Sequence, residues 1–270
     1  MANEYPQVMV IGGSDSDGSA GIEADLHSFF MRGVYGTVVL TAAVAGNSYG
    51  IHDSVTMPLK FISNEFKDLA DDLHVRAAKT GMLADADLIN TVADNWEKYD
   101  FGKLVLDPVI VTKHGNLLLE ADALATLKSR LIPLADVMTP NFYEAEHLVG
   151  RKLTSKADIE QAAHELQQMG AKNILLKGER VGGDQTTVDD FVLLEDGKTF
   201  WLPAQFFDTD RRNGTGDTVS AVIAAELAKG TDVESAIRIA RAFVTNAIGH
   251  EIAVGHKFGP INHWANDPAF

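Results

Sequence analysis

The sequence predicts an α/β fold built on a largely parallel sheet, and three observations carry that prediction. Short apolar runs alternate with longer amphipathic stretches through most of the chain, the pattern of successive βαβ units. The runs end in polar, glycine or proline residues, as strand ends do along the ligand-binding edge of such a sheet. No Pro/Ser-rich linker, repeat or low-complexity tract interrupts the alternation, so residues 1–270 are expected to form a single domain.

Taken in order, the expected strands are Val8–Ile11, Thr37–Ala45, Ala77–Lys79, Leu104–Leu106, Val137–Met138 and Ile174–Leu176. Between them, apolar residues at helical spacing predict helices at Ala20–Arg32, Ile62–Leu73, Ala86–Lys98 and Ala121–Arg130, then at Tyr143–Val149 and Lys156–Met169. Phe191–Leu194 and Thr199–Leu202 flank Asp196-Gly197-Lys198 and read as a hairpin with a tight turn. Two helices close the chain, Ala221–Lys229 and Val233–Gly249, the second opened by Thr231-Asp232-Val233-Glu234 in capping-box form.

Composition narrows the partners. The 270 residues are 46% hydrophobic and 23% charged, ordinary for a globule. With 38 acidic against 23 basic residues the net charge is −15, which argues against nucleic acid and an anionic membrane as partners. Cysteine is absent, so disulfides, zinc thiolates and a thiol nucleophile are excluded. Met1 to Val10 lacks a basic region followed by an apolar core, and no apolar run approaches ~18 residues, so a cytoplasmic protein is expected.

Six stretches that follow strands hold the candidate site residues: Gly13-Ser14-Asp15, Gly46-Asn47, Thr80-Gly81-Met82, Asp107-Pro108, Thr139-Pro140-Asn141 and Lys177-Gly178-Glu179. In an open parallel sheet these ends share one edge. The stretch on which they converge is Asn213-Gly214-Thr215-Gly216-Asp217-Thr218, a glycine loop running into a helix. Its unpaired backbone N–H groups and partial positive charge suit a phosphate. Asp217 would repel that phosphate, and one account is that it takes the proton of an attacking hydroxyl. The other is that it caps the helix.

The remaining candidates have the same two-sided character. Gly12 to Gly21 misses the dinucleotide spacing and is too acidic to cradle phosphate, so with Ser14 and Asp25 it suits a neutral polar substrate; Asp25 can equally sit in water. Asn141 and Glu144, with Asp107 one strand away, are oxygen donors of the kind Mg²⁺ prefers and also fit a helix cap. Lys177, followed by Gly178, is a point charge for a nucleotide phosphate. Nine histidines show no zinc-binding spacing, and no G-x-S-x-G elbow occurs.

Over nearly its whole length the chain resembles the ribokinase-like vitamin kinases, in the branch that holds hydroxymethylpyrimidine (phosphate) kinases and related pyridoxal/pyridoxine kinases. The resemblance runs through Gly13-Ser14-Asp15-Ser16, Ala20-Gly21-Ile22-Glu23-Ala24-Asp25, Lys79-Thr80-Gly81-Met82-Leu83 and Leu106-Asp107-Pro108-Val109. It continues through Thr139-Pro140-Asn141, Glu144-Ala145, Lys177-Gly178, Gly214-Thr215-Gly216-Asp217 and Gly259-Pro260. It implies a three-layer sandwich with helices on both faces of the sheet, and a kinase using ATP and Mg²⁺. By the same matching Gly214, Thr215 and Gly216 form the anion hole and Asp217 is the base. Lys177, Gly178, Asn141, Glu144 and Asp107 serve ATP and Mg²⁺, while Ser14, Asp25, Gly46, Met82 and Val109 border the vitamin ring. Relatives are commonly dimers, so a homodimer is expected.

Three departures from the pattern bear on the substrate. Many pyrimidine-kinase members carry cysteine where this chain has Asp217. Members specific for the aminopyrimidine tend to place glutamine at Gly46, and its loss points to a pyridine, so the expected acceptor is pyridoxal, pyridoxine or pyridoxamine, with hydroxymethylpyrimidine or its monophosphate as the alternative. Related pyridoxal kinases can place a cysteine where this chain has Thr112, in a loop from Val111 to Leu119 expected to fold as a lid.

Overall fold

The structure is a computed structural model and describes residues 4–110, 119, 121–178 and 186–267. Thr112 and nearly all of the expected lid lie outside the described residues, as does Glu179. Among the described residues a nine-stranded sheet runs in the order β3-β2-β1-β4-β5-β6-β7-β8-β9. The strands are β1 (Gln7–Asp15), β2 (Tyr35–Asn47), β3 (Gly50–Thr56), β4 (Val75–Thr80), β5 (Lys103–Leu106), β6 (Val137–Met138), β7 (Asn173–Leu176), β8 (Thr187–Leu193) and β9 (Thr199–Gln205). The six from β2 to β7 pair in parallel, and β3, β8 and β9 join antiparallel at the two edges.

Among the described residues eight α-helices accompany them: α1 (Gly21–Met31), α2 (Leu59–Asp72), α3 (Ala86–Lys98), α4 (Ala121–Thr126), α5 (Phe142–Val149), α6 (Lys156–Gln168), α7 (Thr215–Ala228) and α8 (Val233–Gly249). Side chains of β1 alternate between two cores, because successive strand residues point to opposite faces. Val8 and Val10 pack with α1, α7 and α8, whereas Met9 and Ile11 pack with α2, α3, α5 and α6. The layers are therefore helix, sheet and helix. No helix among the described residues is long and apolar enough to cross a membrane.

Four local expectations are corrected. The residues Gly13–Asp15 continue β1 in register with Ala42–Val44 beyond a shift at Gly12/Gly13, so the glycine-rich loop begins later than expected. The strand β3 lacks an apolar run because all seven of its residues are exposed at the sheet edge. The expected helix Ala121–Arg130 stops at Thr126 and passes into a wider turn over Leu127–Leu131, just ahead of Pro133, which has no N–H to continue a helix. At α8 the cap is Asp232, accepting from the Ser235 N–H, and not Thr231.

The largest difference concerns α7, which starts at Thr215, six residues before the expected Ala221. Every residue from Thr218 to Ala228 is buried, since α7 lies against β4, β5, α1 and α8 at once. A helix enclosed on all sides has no polar face and so no amphipathic signature at its start.

Candidate active site

Helix α7 opens at Gly214, whose φ of 78° is reached at low cost by glycine and which makes no side-chain cap bond. A Cβ at this position would stand 2.3 Å from the Ser19 carbonyl oxygen. The loop before it is held by the C-terminal segment: Asn213 N–H donates to Gly259 O, and Ile261 N–H donates to Asn213 O. The first-turn amides therefore face a fixed point. A Cβ on Gly216 would lie 3.3 Å from Lys177 Nζ and 3.7 Å from Asp107 Oδ2, so this glycine keeps open the space between the helix start and a cation.

Two cavities meet at this turn. One, of about 450 Å³, is lined by Asp107, Asn141, Glu144, Lys177 and Gly178 together with Gly214, Thr215, Gly216 and Asp217. The other, of about 600 Å³, is lined by Ser14, Asp25, Gly46, Met82 and Lys79. Val109, Asn213 and Asp217 line both. Val109 takes a φ of 37°, an uncommon value for a β-branched residue, at the place where the cavities join. A further hollow of about 630 Å³ beside β9 and α8 holds none of these residues, so size does not locate the chemistry.

In the first cavity a parallel bridge sets Asn141 beside Lys177. Lys177 Nζ lies 3.4 Å from Asp107 Oδ1. Burial draws the Lys177 ammonium down, but Asp107 and Glu144 outweigh it and keep it above its ordinary value, a fixed positive charge. Gly178 is required by space, since a Cβ would stand 2.1 Å from the Asp189 carbonyl oxygen, and its N–H donates to Asp190 Oδ1. Arg212, which the sequence did not single out, lines the same cavity with a buried Nε that has no hydrogen-bond partner.

Glu144 and Asn141 form a reciprocal capping box at the start of α5. Glu144 Oε2 accepts from Asn141 N–H at 2.7 Å and Oε1 from Ile110 N–H at 3.1 Å, and burial raises its carboxyl to about 7. Both oxygens are thus occupied. Among the described residues Asp107 has two long contacts, to Lys177 and to Ser220 Oγ at 3.3 Å, and burial raises its carboxyl too. No cluster of three acidic or histidine groups occurs among the described residues. Mg²⁺ needs only one or two carboxylates when phosphates and water complete its shell. Asp107 fits that part, and Glu144 lines the same cavity.

In the second cavity Asp25, Lys79 and Asp217 form a buried trio. Lys79 Nζ donates to both oxygens of Asp25, at 2.9 and 2.8 Å, and to Asp217 Oδ1 at 3.0 Å. Burial drives the Asp25 carboxyl well above its usual range in spite of Lys79. For Asp217 burial is outweighed by Lys79 and by the Gly21 N–H, which hold it below its usual value. The two carboxyl groups are pushed in opposite directions, and the one held low, Asp217, faces both cavities. Lys79 received no role from the sequence, though a lysine closing the apolar run Ala77–Lys79 was the available sign.

The other residues of this cavity are tied to the backbone around it. Ser14 Oγ donates to Glu23 Oε1, and Asp15 N–H donates to Glu23 Oε2. Both backbone groups of Gly46 are bound to Ser16 Oγ, so Gly46 itself offers no polar group to a ring. Asp15, raised to about 6 by burial and by Asp17, lines the wall beside Asn47 and Tyr49.

A cavity with a buried cation and a second cavity beside it, with Asp217 lining both, sit on a fold that known proteins share. Residues 15–262 match the phosphomethylpyrimidine kinase family. The chain is 46% identical over 260 residues to a hydroxymethylpyrimidine/phosphomethylpyrimidine kinase of Haemophilus influenzae, covering 96% of this chain and 97% of that one. An ADP complex of Bacillus subtilis pyridoxal kinase superposes with a TM-score of 0.89 at 34% identity, covering 97% and 98% of the two chains. Staphylococcus aureus pyridoxal kinase with AMP-PCP and pyridoxal does so with a TM-score of 0.88 at 29% identity, covering 98% and 96%. Shared architecture and near-complete coverage leave one conclusion: the chain belongs to the phosphomethylpyrimidine kinase family, and it is a ribokinase-like phosphotransferase acting on an alcohol.

Proposed function

We propose that the chain transfers the γ-phosphoryl group of ATP to hydroxymethylpyrimidine, and to its monophosphate, in thiamine synthesis. The carrying observation is the place of Asp217, the one ionisable residue shared by the cavity that holds Lys177 and the cavity that holds Asp25. ATP occupies the first cavity and the acceptor alcohol the second, a reading supported by structural neighbours that are pyridoxal kinases in complex with ADP and with AMP-PCP and pyridoxal. Backbone N–H groups at Gly214 to Gly216 and the Lys177 ammonium hold the phosphates. Asp217 takes the hydroxyl proton as the acceptor oxygen bonds to the γ-phosphorus and the bond to ADP breaks. Phosphoryl transfer has a loose transition state, so position and charge matter more than base strength, and a carboxylate of lowered basicity serves. Asp107, with Glu144 in the same cavity, would hold Mg²⁺, which would supply neutralisation of the phosphate charge.

The choice of ring revises the expectation drawn from Gly46. Curated relatives at 37–46% identity act on the pyrimidine, and Ser14, Asp15 and Asn47 offer polar groups in the cavity where Gly46 offers none. Pyridoxal is the second reading, favoured by Gly46 and by the pyridoxal kinases among the structural neighbours. Steady-state ADP release with hydroxymethylpyrimidine, its monophosphate, pyridoxal and pyridoxine decides between them. We expect the highest kcat/KM with the pyrimidine alcohol; a tenfold preference for pyridoxal would reverse the assignment.

A further inference from the structure

Lysine is almost never fully buried unless it is paired. Lys79, at 0% exposure, is paired twice. Its partners come from α1 and α7, remote in sequence from β4, so no local pattern assembled them. A buried cation needs one carboxylate, and Asp25, with a side chain 1% exposed, supplies it through both oxygens. The third bond goes to the carboxylate that lines both cavities and whose side chain is 21% exposed.

We propose that Lys79 is the positioning residue of the general base: anchored on Asp25, it fixes one oxygen of Asp217 so that the remaining lone pairs face the acceptor hydroxyl. The proposal rests on the reading of Asp217 as the base. Other charged groups near Asp217 are Asp107 after β5, Lys177 after β7 and His263 near the C-terminus. Among the described side chains only Lys79 hydrogen-bonds the carboxylate, and the Gly21 N–H is its backbone partner. Without Lys79 the Asp217 side chain is free to choose among staggered rotamers, and a displacement near 1 Å at a reacting centre costs about a hundredfold in rate. Since Lys79 is fully buried and its hydrogen bonds go to Asp25 and Asp217, its loss is expected to fall on kcat and not on KM.

The test is a cycle in the full-length chain: wild type, Lys79→Met, Asp217→Asn and the double variant, each assayed at saturating ATP and acceptor with ATP affinity measured by calorimetry. Lys79→Met is expected to lower kcat about 30- to 100-fold with both KM values within about threefold. In the Asp217→Asn background the same change is expected to lower it no further, since groups acting as a unit are not additive. A second loss of equal size there, an unchanged kcat, or a rise in KM alone overturns the proposal. Should Asp217→Asn keep wild-type turnover, the base reading falls first; if it is inactive while Lys79→Met is fully active, only the role of Lys79 falls. If Lys79→Met does not fold, Asp25→Asn/Lys79→Met removes opposite charges together and carries the same cycle with the same outcomes.

Discussion

Replacing Gly216 with alanine separates stability from chemistry at this site. Gly216 sits in the first turn of α7 at an ordinary helical φ, and alanine is the better helix former by up to ~1 kcal/mol. The added Cβ meets only Lys177 Nζ at 3.3 Å and Asp107 Oδ2 at 3.7 Å, and the lysine end can give by a few tenths of an ångström. Thermal stability is therefore expected to hold or to rise by about 2 °C. The same methyl fills the space that a phosphate oxygen must enter to reach both the helix amides and Lys177. Losing such donors costs on the order of 10²- to 10³-fold, or about 3–4 kcal/mol of barrier. Coupled-assay kcat/KM for ATP together with a melting curve reads both effects. Gly214→Ala is the control: its φ of 78° and the 2.3 Å approach of its Cβ to Ser19 O predict a loss of stability greater than ~1 kcal/mol. Unchanged kcat/KM in a folded Gly216→Ala protein, or parallel loss of stability and activity, refutes the placement of phosphate on this turn.

Further predictions concern the two basic residues on either side of the turn. Lys177→Met is expected to raise the KM for ATP at least about tenfold and to lower kcat about 10²-fold. It also costs about 3 kcal/mol in denaturant unfolding, because Asp107 is left as a buried carboxylate without its cation; an unchanged ATP affinity counts against the assignment of the first cavity. His263, whose Nε2 lies 2.9 Å from Thr218 Oγ1, is held down to about 4 by burial and by His27. The unfolded chain binds this proton near 6.5 and the folded chain only near 4, so stability is complete above that window and is lost as pH falls through it, by at most about 3 kcal/mol. His263→Asn should flatten the dependence of unfolding free energy on pH between 6.5 and 4, and equal slopes in the two proteins dispose of this account.

The sequence by itself determined the class of fold and most of the residues that line the two joined cavities. Periodicity is a local property, so β1, β4 and α3 can be read from a dozen residues each, and the turn chemistry after the strands marked the edge along which the two cavities lie. The motif residues from Ser14 to Asp217 line the two joined cavities because their spacing encodes strand ends and a helix start. The edge strand β3 and the true start of α7 were not legible, since a strand exposed throughout and a helix buried throughout both lack the polar and apolar alternation that reading depends on. Tertiary structure alone decided the charges. Asn141 and Glu144 spend their groups on a cap, and Lys79 pairs with carboxylates 54 and 138 residues away. That Asp25 is raised and Asp217 lowered follows from burial and distance, quantities that exist only once the chain has closed around them.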